Sequence, residues 1–213
     1  APVAAARRGK AGGRGRGRER VNVTVIGLGY VGTTTALVLA KLGHRVIGYD
    51  VDEVKIARLS RGELPFREPG LPELLREQLA AGRIRFTNDA KTAVTESELL
   101  MLAVGTPSAP DGSADLRYVD AAVDTIARHL DGPKIVVTKS TVPIGTNRRI
   151  RRRFAELVDA SRTPVAVVSN PEFLREGSAL RDSLHPARTV IGGDDPAAMA
   201  KVRSLYDGLD APC

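Results

Sequence analysis

Val21-Asn22-Val23-Thr24-Val25-Ile26-Gly27-Leu28-Gly29-Tyr30-Val31-Gly32 reads as an apolar strand that runs straight into G-x-G-x-x-G. In a dinucleotide-binding fold the first glycine permits the tight strand-to-helix turn. The second lets the backbone approach a pyrophosphate, and the third lets helix and strand pack closely. The anion then rests on free N–H groups at the helix N-terminus. Glycine-rich turns are common, so the surroundings have to carry the reading. A helical stretch follows from Tyr30 to Leu42, Gly43 stands where a C-cap is expected, and Arg45-Val46-Ile47-Gly48-Tyr49 reads as a second strand ending in Asp50. Eighteen positions separate Gly32 from Asp50, and the acid that holds an adenosine ribose is expected at about 20. The alternative at this point is a structural glycine turn in another kind of α/β protein.

Length and charge narrow the class. The chain has 213 residues, enough to bury a real core. Its apolar runs, such as Leu99 to Val104, are short and bounded by turn residues, so no membrane span is expected. Residues 1–20 hold seven basic side chains (Arg7, Arg8, Lys10, Arg14, Arg16, Arg18, Arg20) against Glu19, and so supply +6 of the formal +7. Rich in Ala, Gly and Arg, this tail is expected to be disordered. It could touch nucleic-acid phosphates in a salt-sensitive way. The plainer expectation is a solvated extension or a mis-assigned start, with no nucleic-acid partner. With no apolar signal core in the tail, a cytoplasmic location is expected. Cys213 is the single cysteine, which suits a reducing compartment. Three scattered histidines without cysteine partners give no metal-ligand spacing.

The rest of the chain alternates strand and helix. After Asp50 a helix is expected from Asp52 to Ser60, then a rigid loop Pro65-Phe66-Arg67-Glu68-Pro69-Gly70-Leu71 and a helix from Pro72 to Ala81. A strand Ile84–Thr87 and a short helix around Ala90 to Thr95 come next. Leu99-Leu100-Met101-Leu102-Ala103-Val104 is continuously apolar, the mark of a central parallel strand covered on both faces. It empties into Gly105-Thr106-Pro107-Ser108, which lines the cofactor crevice if the sheet is open and parallel, or else merely breaks the strand. A helix from Leu116 to Leu130 follows, with Val119, Ala122, Val123 and Ile126 as its buried stripe. The strand Lys134–Thr138 delivers Lys139-Ser140-Thr141-Val142-Pro143 to the same edge. The helix from Thr146 to Asp159 carries arginines on several faces, expected to be mostly solvated. Val165–Ser169 is a further strand, Thr189–Gly193 a last hydrophobic segment, and Pro196 to Tyr206 a last helix. This alternation predicts an α/β, Rossmann-like, doubly wound parallel sheet.

Four motifs, Gly27-Leu28-Gly29-Tyr30-Val31-Gly32, Gly105-Thr106-Pro107, Lys139-Ser140-Thr141-Val142-Pro143-Ile144-Gly145-Thr146 and Ser169-Asn170-Pro171-Glu172-Phe173-Leu174-Arg175-Glu176-Gly177, strongly resemble the UDP-glucose/GDP-mannose dehydrogenase family. The likeness covers about residues 21–208 and corresponds to the family's N-terminal NAD-binding domain. Residues 209–213 would begin the connection to a central domain. The resemblance implies oxidation of the primary alcohol of UDP-glucose, or a related UDP- or GDP-sugar, to a carboxylate in two hydride transfers to NAD. A cysteine captures the intermediate aldehyde, and water hydrolyses the resulting thioester. It also implies a cofactor set of Gly27, Gly29, Tyr30, Val31, Gly32, Asp50, Lys55, Val104, Gly105, Thr106, Pro107, Ser140, Thr141 and Glu176. Thr141 would hold the attacking water, Glu172 would act as acid/base, and Glu176 would lie near substrate and nicotinamide. Glu172, Phe173, Leu174, Arg175 and Glu176 would pass along the sugar.

Thioester hydrolysis needs a positioned water and a base to take its proton, which suits those residue types. Read without the family, Thr141 could simply satisfy backbone groups, and Glu172 and Glu176 could cap or pair on a helix. The family's nucleophilic cysteine, the central helical domain and the C-terminal nucleotide-sugar domain are not in this sequence. Cys213 lacks the family's glycine-rich setting. A fragment or truncated homologue is expected, dimeric in full-length form. A non-catalytic dinucleotide-binding module or half of a split enzyme is the competing reading.

Overall fold

The computed structural model describes residues 20–159 and 161–213. The expectations for the basic tail therefore lie outside the described residues, apart from exposed Arg20. Seven strands form one sheet in the order β3-β2-β1-β4-β5-β6-β7. The strands are β1 (Asn22–Ile26), β2 (Arg45–Tyr49), β3 (Ile84–Thr87), β4 (Leu99–Leu102), β5 (Lys134–Thr138), β6 (Val165–Ser169) and β7 (Gly192–Gly193). The first six are parallel, and β7 pairs antiparallel with β6.

Helices cover both faces, and the alternation of side chains along β4 shows how. Leu99 and Met101 join the core beneath α1 (Tyr30–Lys41), α3 (Leu71–Ala80) and α8 (Pro196–Ser204). Leu100 and Leu102 join the opposite core, beneath α4 (Ala90–Thr95), α5 (Arg117–His129) and α6 (Thr146–Leu157). All four are fully buried, as a run without a polar face requires. α2 (Glu53–Ser60) and α7 (Ala179–Leu184) complete the helices of the described residues. Asp52, Asp89 and Asp195 accept from first-turn N–H groups of α2, α4 and α8, which explains those helix starts.

Several expectations need correction. The β4 strand ends at Leu102, because Ala103 and Val104 turn into the loop while Ala103 N donates to Ile26 O at 2.8 Å. Only Gly192 and Gly193 of the Thr189–Gly193 segment pair, and their antiparallel direction breaks the all-parallel pattern. The sequence does not mark the α7 helix: unlike α4, of equal length, it has no side chain capping its first turn and buries only Ala179. Glu172 and Glu176 lie on a loop, not a helix. The arginines of α6 are mostly exposed, as expected, yet two of them also tie α6 to α5: Arg149 bonds Asp120 and Arg153 bonds Asp124, both through two nitrogens. Arg151 pairs with Asp194.

Strand order reverses between β1 and β4, since β2 and β3 lie to one side and β5 and β6 to the other. The carboxyl ends of β1 and β4 therefore open a crevice at the switch point, where open α/β sheets take ligands.

Candidate cofactor site and adjoining loops

Gly27 follows β1 with φ +92, and a Cβ there would stand 2.9 Å from Ala103 O, so conformation and space both demand glycine. Gly32 sits one turn into α1, where a Cβ would stand 1.8 Å from Gly27 O. That contact brings the helix down onto the turn. Around Gly29, the N-cap of α1, a Cβ would meet nothing within 4 Å, and no side chain caps the helix. The first turn of α1 thus has no side-chain capping partner, as an anion site requires.

Asp50 stands at the end of β2, largely buried. Its Oδ2 accepts from Leu28 N at 2.8 Å and from Lys55 Nζ at 2.7 Å, and its Oδ1 from Asp52 N at 3.1 Å. Burial opposes the charge, but Lys55 and the two N–H groups outweigh it and hold the carboxyl below the usual range. An ionised acceptor is thereby fixed beside the glycine turn.

The loops after β4 and β5 are stitched together. Ser140 Oγ donates to Val104 O at 2.6 Å, and Thr106 Oγ1 donates to Thr141 O at 2.7 Å. With the glycine turn they enclose a cleft of about 600 Å³. Of the residues expected at the cofactor, Gly27, Gly29, Tyr30, Val31, Asp50, Lys55, Val104, Gly105, Thr106, Ser140 and Thr141 line it. Gly32, Pro107 and Glu176 do not. Glu172 joins Thr141 in the lining, while Glu176 is exposed. Phe173 and Leu174 sit with Glu172 in a small adjoining hollow, and with Arg175 they also line a third, of about 450 Å³. There Arg188 lies 5.6 Å from the Phe173 ring centre, and Arg175 pairs with Asp182. The loop motif thus bridges two spaces: Glu172 lines both the cleft and the adjoining hollow, and Phe173 and Leu174 line the hollow. The Glu172 carboxylate accepts from Leu174 N.

Sequence reasoning missed part of the site. Tyr118, Ala121 and Thr125 on α5 form one wall of the cleft; the amphipathic pattern marked only the buried face of that helix. Lys139 was quoted inside a motif without a role. It is buried beside Glu172, its Nζ 3.4 Å from Asn170 Oδ1 and 5.7 Å from the Tyr206 ring centre. Burial lowers its pKa to about 8, against a countervailing pull from Glu172. A lysine between a strand and a Ser-Thr loop gives no sequence signal of such burial.

A glycine turn, an ionised carboxylate after β2 and strand-end loops gathered at a sheet's switch point define a Rossmann-like dinucleotide-binding domain. The uncapped N-terminus of α1 and the Asp50 acceptor fit a dinucleotide's pyrophosphate and ribose. Residues 21–210 match the UDP-glucose/GDP-mannose dehydrogenase family, NAD binding domain. The chain belongs to this family, and the cofactor of its domain is NAD. It is 43% identical over 188 residues to the UDP-glucose 6-dehydrogenase TuaD of Bacillus subtilis (strain 168), covering 88% of this chain and 41% of that protein. The structure of a UDP-glucose dehydrogenase from the hyperthermophilic archaeon Pyrobaculum islandicum superposes with a TM-score of 0.88 at 46% identity, covering 92% of this chain and 46% of that one. A ternary complex of GDP-mannose dehydrogenase from Pseudomonas aeruginosa gives 0.85 at 36% identity, covering 89% and 45%. The chain thus spans under half the length of these relatives. Among the described residues no helix is long and apolar enough to cross a membrane, and no group of three or more His, Cys, Asp or Glu could hold a metal ion.

Proposed function

We propose that this domain is the cofactor half of a dehydrogenase that oxidises the primary alcohol of a nucleotide sugar, UDP-glucose or a related UDP- or GDP-sugar, to its carboxylate in two steps. The observation that carries this reading is that Thr141 and Glu172 line the same cleft as Asp50 and the glycine turn. Bound NAD supplies hydride acceptance. Asp50 takes the hydroxyls of the adenosine ribose, and the first turn of α1 takes the pyrophosphate. Thr141, its carbonyl tied down by Thr106, holds a water with its hydroxyl. Glu172 receives the proton of that water as it attacks an acyl group, a role that general-base carboxylates fill at gains of about 10²–10⁴-fold. Phe173, Leu174 and Arg175 face the sugar side, and a larger assembly of the relatives' length supplies the nucleophile and pairs as a homodimer.

A chimera tests this. The chain replaces the corresponding N-terminal region of the Bacillus subtilis relative, and NADH formation is followed with UDP-glucose, GDP-mannose and UDP-N-acetylmannosamine. Turnover is expected with at least one of them, with Glu172→Gln lowering kcat roughly 10²–10⁴-fold. A folded, NAD-binding chimera whose rate is indifferent to Glu172→Gln would overturn the assignment.

A further inference from the structure

Glu68 lies in the loop between α2 and α3 and is only 3% exposed. A carboxylate so far from water is costly unless its oxygens are satisfied. Its hydrogen-bond partners among the described residues are all neutral donors. Oε2 accepts from Tyr30 Oη at 2.5 Å and from Gly177 N at 2.9 Å, and Oε1 accepts from Leu180 N at 3.4 Å. Gly177 N also reaches Tyr30 Oη at 3.2 Å. The donors come from two distant parts of the chain. Tyr30 is the first residue of α1 and lines the cofactor cleft. Gly177 closes the loop that begins at Glu172, and Leu180 lies in the helix after it.

The surroundings fix both partners. The Tyr30 ring packs on Phe66 at 4.9 Å between centres, and a Cβ on Gly70 would stand 3.1 Å from Leu180 Cδ2, so the Glu68 loop touches both segments with apolar contacts as well. Gly177 has φ +83, which lets its N–H turn inward where a side-chain-bearing residue would be strained. Burial and then the neighbouring Glu68 push the Tyr30 phenol up to about 12, so it stays protonated and donates.

We propose that Glu68 is a positioning residue that locks the Glu172–Gly177 loop to the first turn of α1, so that cofactor binding and the placement of Glu172 are coupled. The cofactor side rests on the dinucleotide site, and the catalytic side rests on the function proposed above. Coupling of this kind is reciprocal: an occupied α1 turn steadies the loop, and an attached loop steadies the turn.

Hydrogen exchange on the 213-residue chain tests it, followed by mass spectrometry over residues 172–181 with and without NAD. The variants are Glu68→Ala, Glu68→Gln and Tyr30→Phe. Without NAD, residues 172–181 are expected to exchange roughly tenfold faster in Glu68→Ala than in the parent, as loss of charge-assisted bonds implies. Exchange in β4 and β5 should be unchanged, and Glu68→Gln, which keeps one acceptor oxygen, should fall between. NAD should slow exchange at 172–181 in the parent and not in Glu68→Ala. Should Glu68→Ala fail to fold, Tyr30→Phe, which deletes one hydroxyl, decides by the same readout. In the chimera, Glu68→Gln is expected to lower kcat roughly tenfold and also to weaken NAD binding severalfold, as reciprocal coupling requires. Exchange at 172–181 that is indifferent to the substitutions, or that rises only in step with β4 and β5, would overturn the proposal. A parent that fails to bind NAD would instead overturn the cofactor reading, and the comparison without NAD would still decide whether Glu68 holds the loop.

Discussion

At Asp50 three donors converge on one carboxylate: Leu28 N, Asp52 N and Lys55 Nζ. The backbone donors aim it, and Lys55 offsets its charge without displacing it from the cleft. Asp50→Asn is expected to weaken NAD binding roughly tenfold or more, the worth of a charge-assisted hydrogen bond. It should also narrow the gap between NAD and NADP, because Lys55 is released from its 2.7 Å ion pair to meet a 2′-phosphate. Competition titration measures both, and unchanged NAD affinity would contradict the ribose role. Lys139 gives a pH-dependent prediction. Its folded pKa of about 8 lies below the ordinary 10.5, so between those values the unfolded chain holds a proton that the folded chain has released. Stability therefore rises with pH through that window, and the cost of burying the charge is carried in full below about pH 8. Lys139→Met, similar in length and uncharged, is expected to be more stable than the parent at neutral pH by up to about 3 kcal/mol. Urea denaturation at neutral pH and near 10.5 should show the gap closing; a constant gap would mean that folding leaves the proton affinity of Lys139 unchanged.

The α1 helix and its glycine turn show how two effects of one substitution are weighed. Gly32→Ala would raise helix propensity by about 0.5–1 kcal/mol. The new Cβ would meet the carbonyl of Gly27 at 1.8 Å, and backbone cannot step aside as a flexible side chain can. Overpacking of this kind costs typically 1–3 kcal/mol and here should reach or exceed the top of that range. Thermal melts should show a marked loss of stability, together with loss of NAD binding; a stabilised variant would contradict the packing. The elements legible in sequence were those whose local pattern matched their setting: an unbroken Leu99–Leu102 run for a strand covered on both faces, and Asp52 at the start of α2. The two-residue β7 is too short to read and the uncapped α7 carries no start signal, and their places follow from packing against β6 and α1. Glu68 was invisible for another reason. Its donors Tyr30 and Gly177 lie 38 and 109 positions away, and nothing near it in sequence marks a buried carboxylate. The roles of Thr141 and Glu172 came from likeness to a family; the structure adds that both line one cleft.

Across the whole molecule, the switch point between β1 and β4 gathers the glycine turn, Asp50 and the strand-end loops at one edge, while the two cores beneath the helices hold that edge in place. The single cysteine, Cys213, is exposed and outside the cleft lining, so the 213-residue chain on its own is expected to bind NAD without converting any nucleotide sugar. Mass spectrometry of the sugar after incubation with NAD checks this; a uronate that still forms with Cys213→Ser would show that the chain carries out the chemistry by another route. The central claim, that this edge is an NAD site, is tested most directly by calorimetric titration of the folded chain with NAD and with NADP. Saturable binding of one NAD per chain is predicted, with NADP roughly tenfold weaker or worse because its 2′-phosphate meets the Asp50 carboxylate. Absence of NAD binding by the folded protein, or NADP binding as tight as NAD, would contradict it.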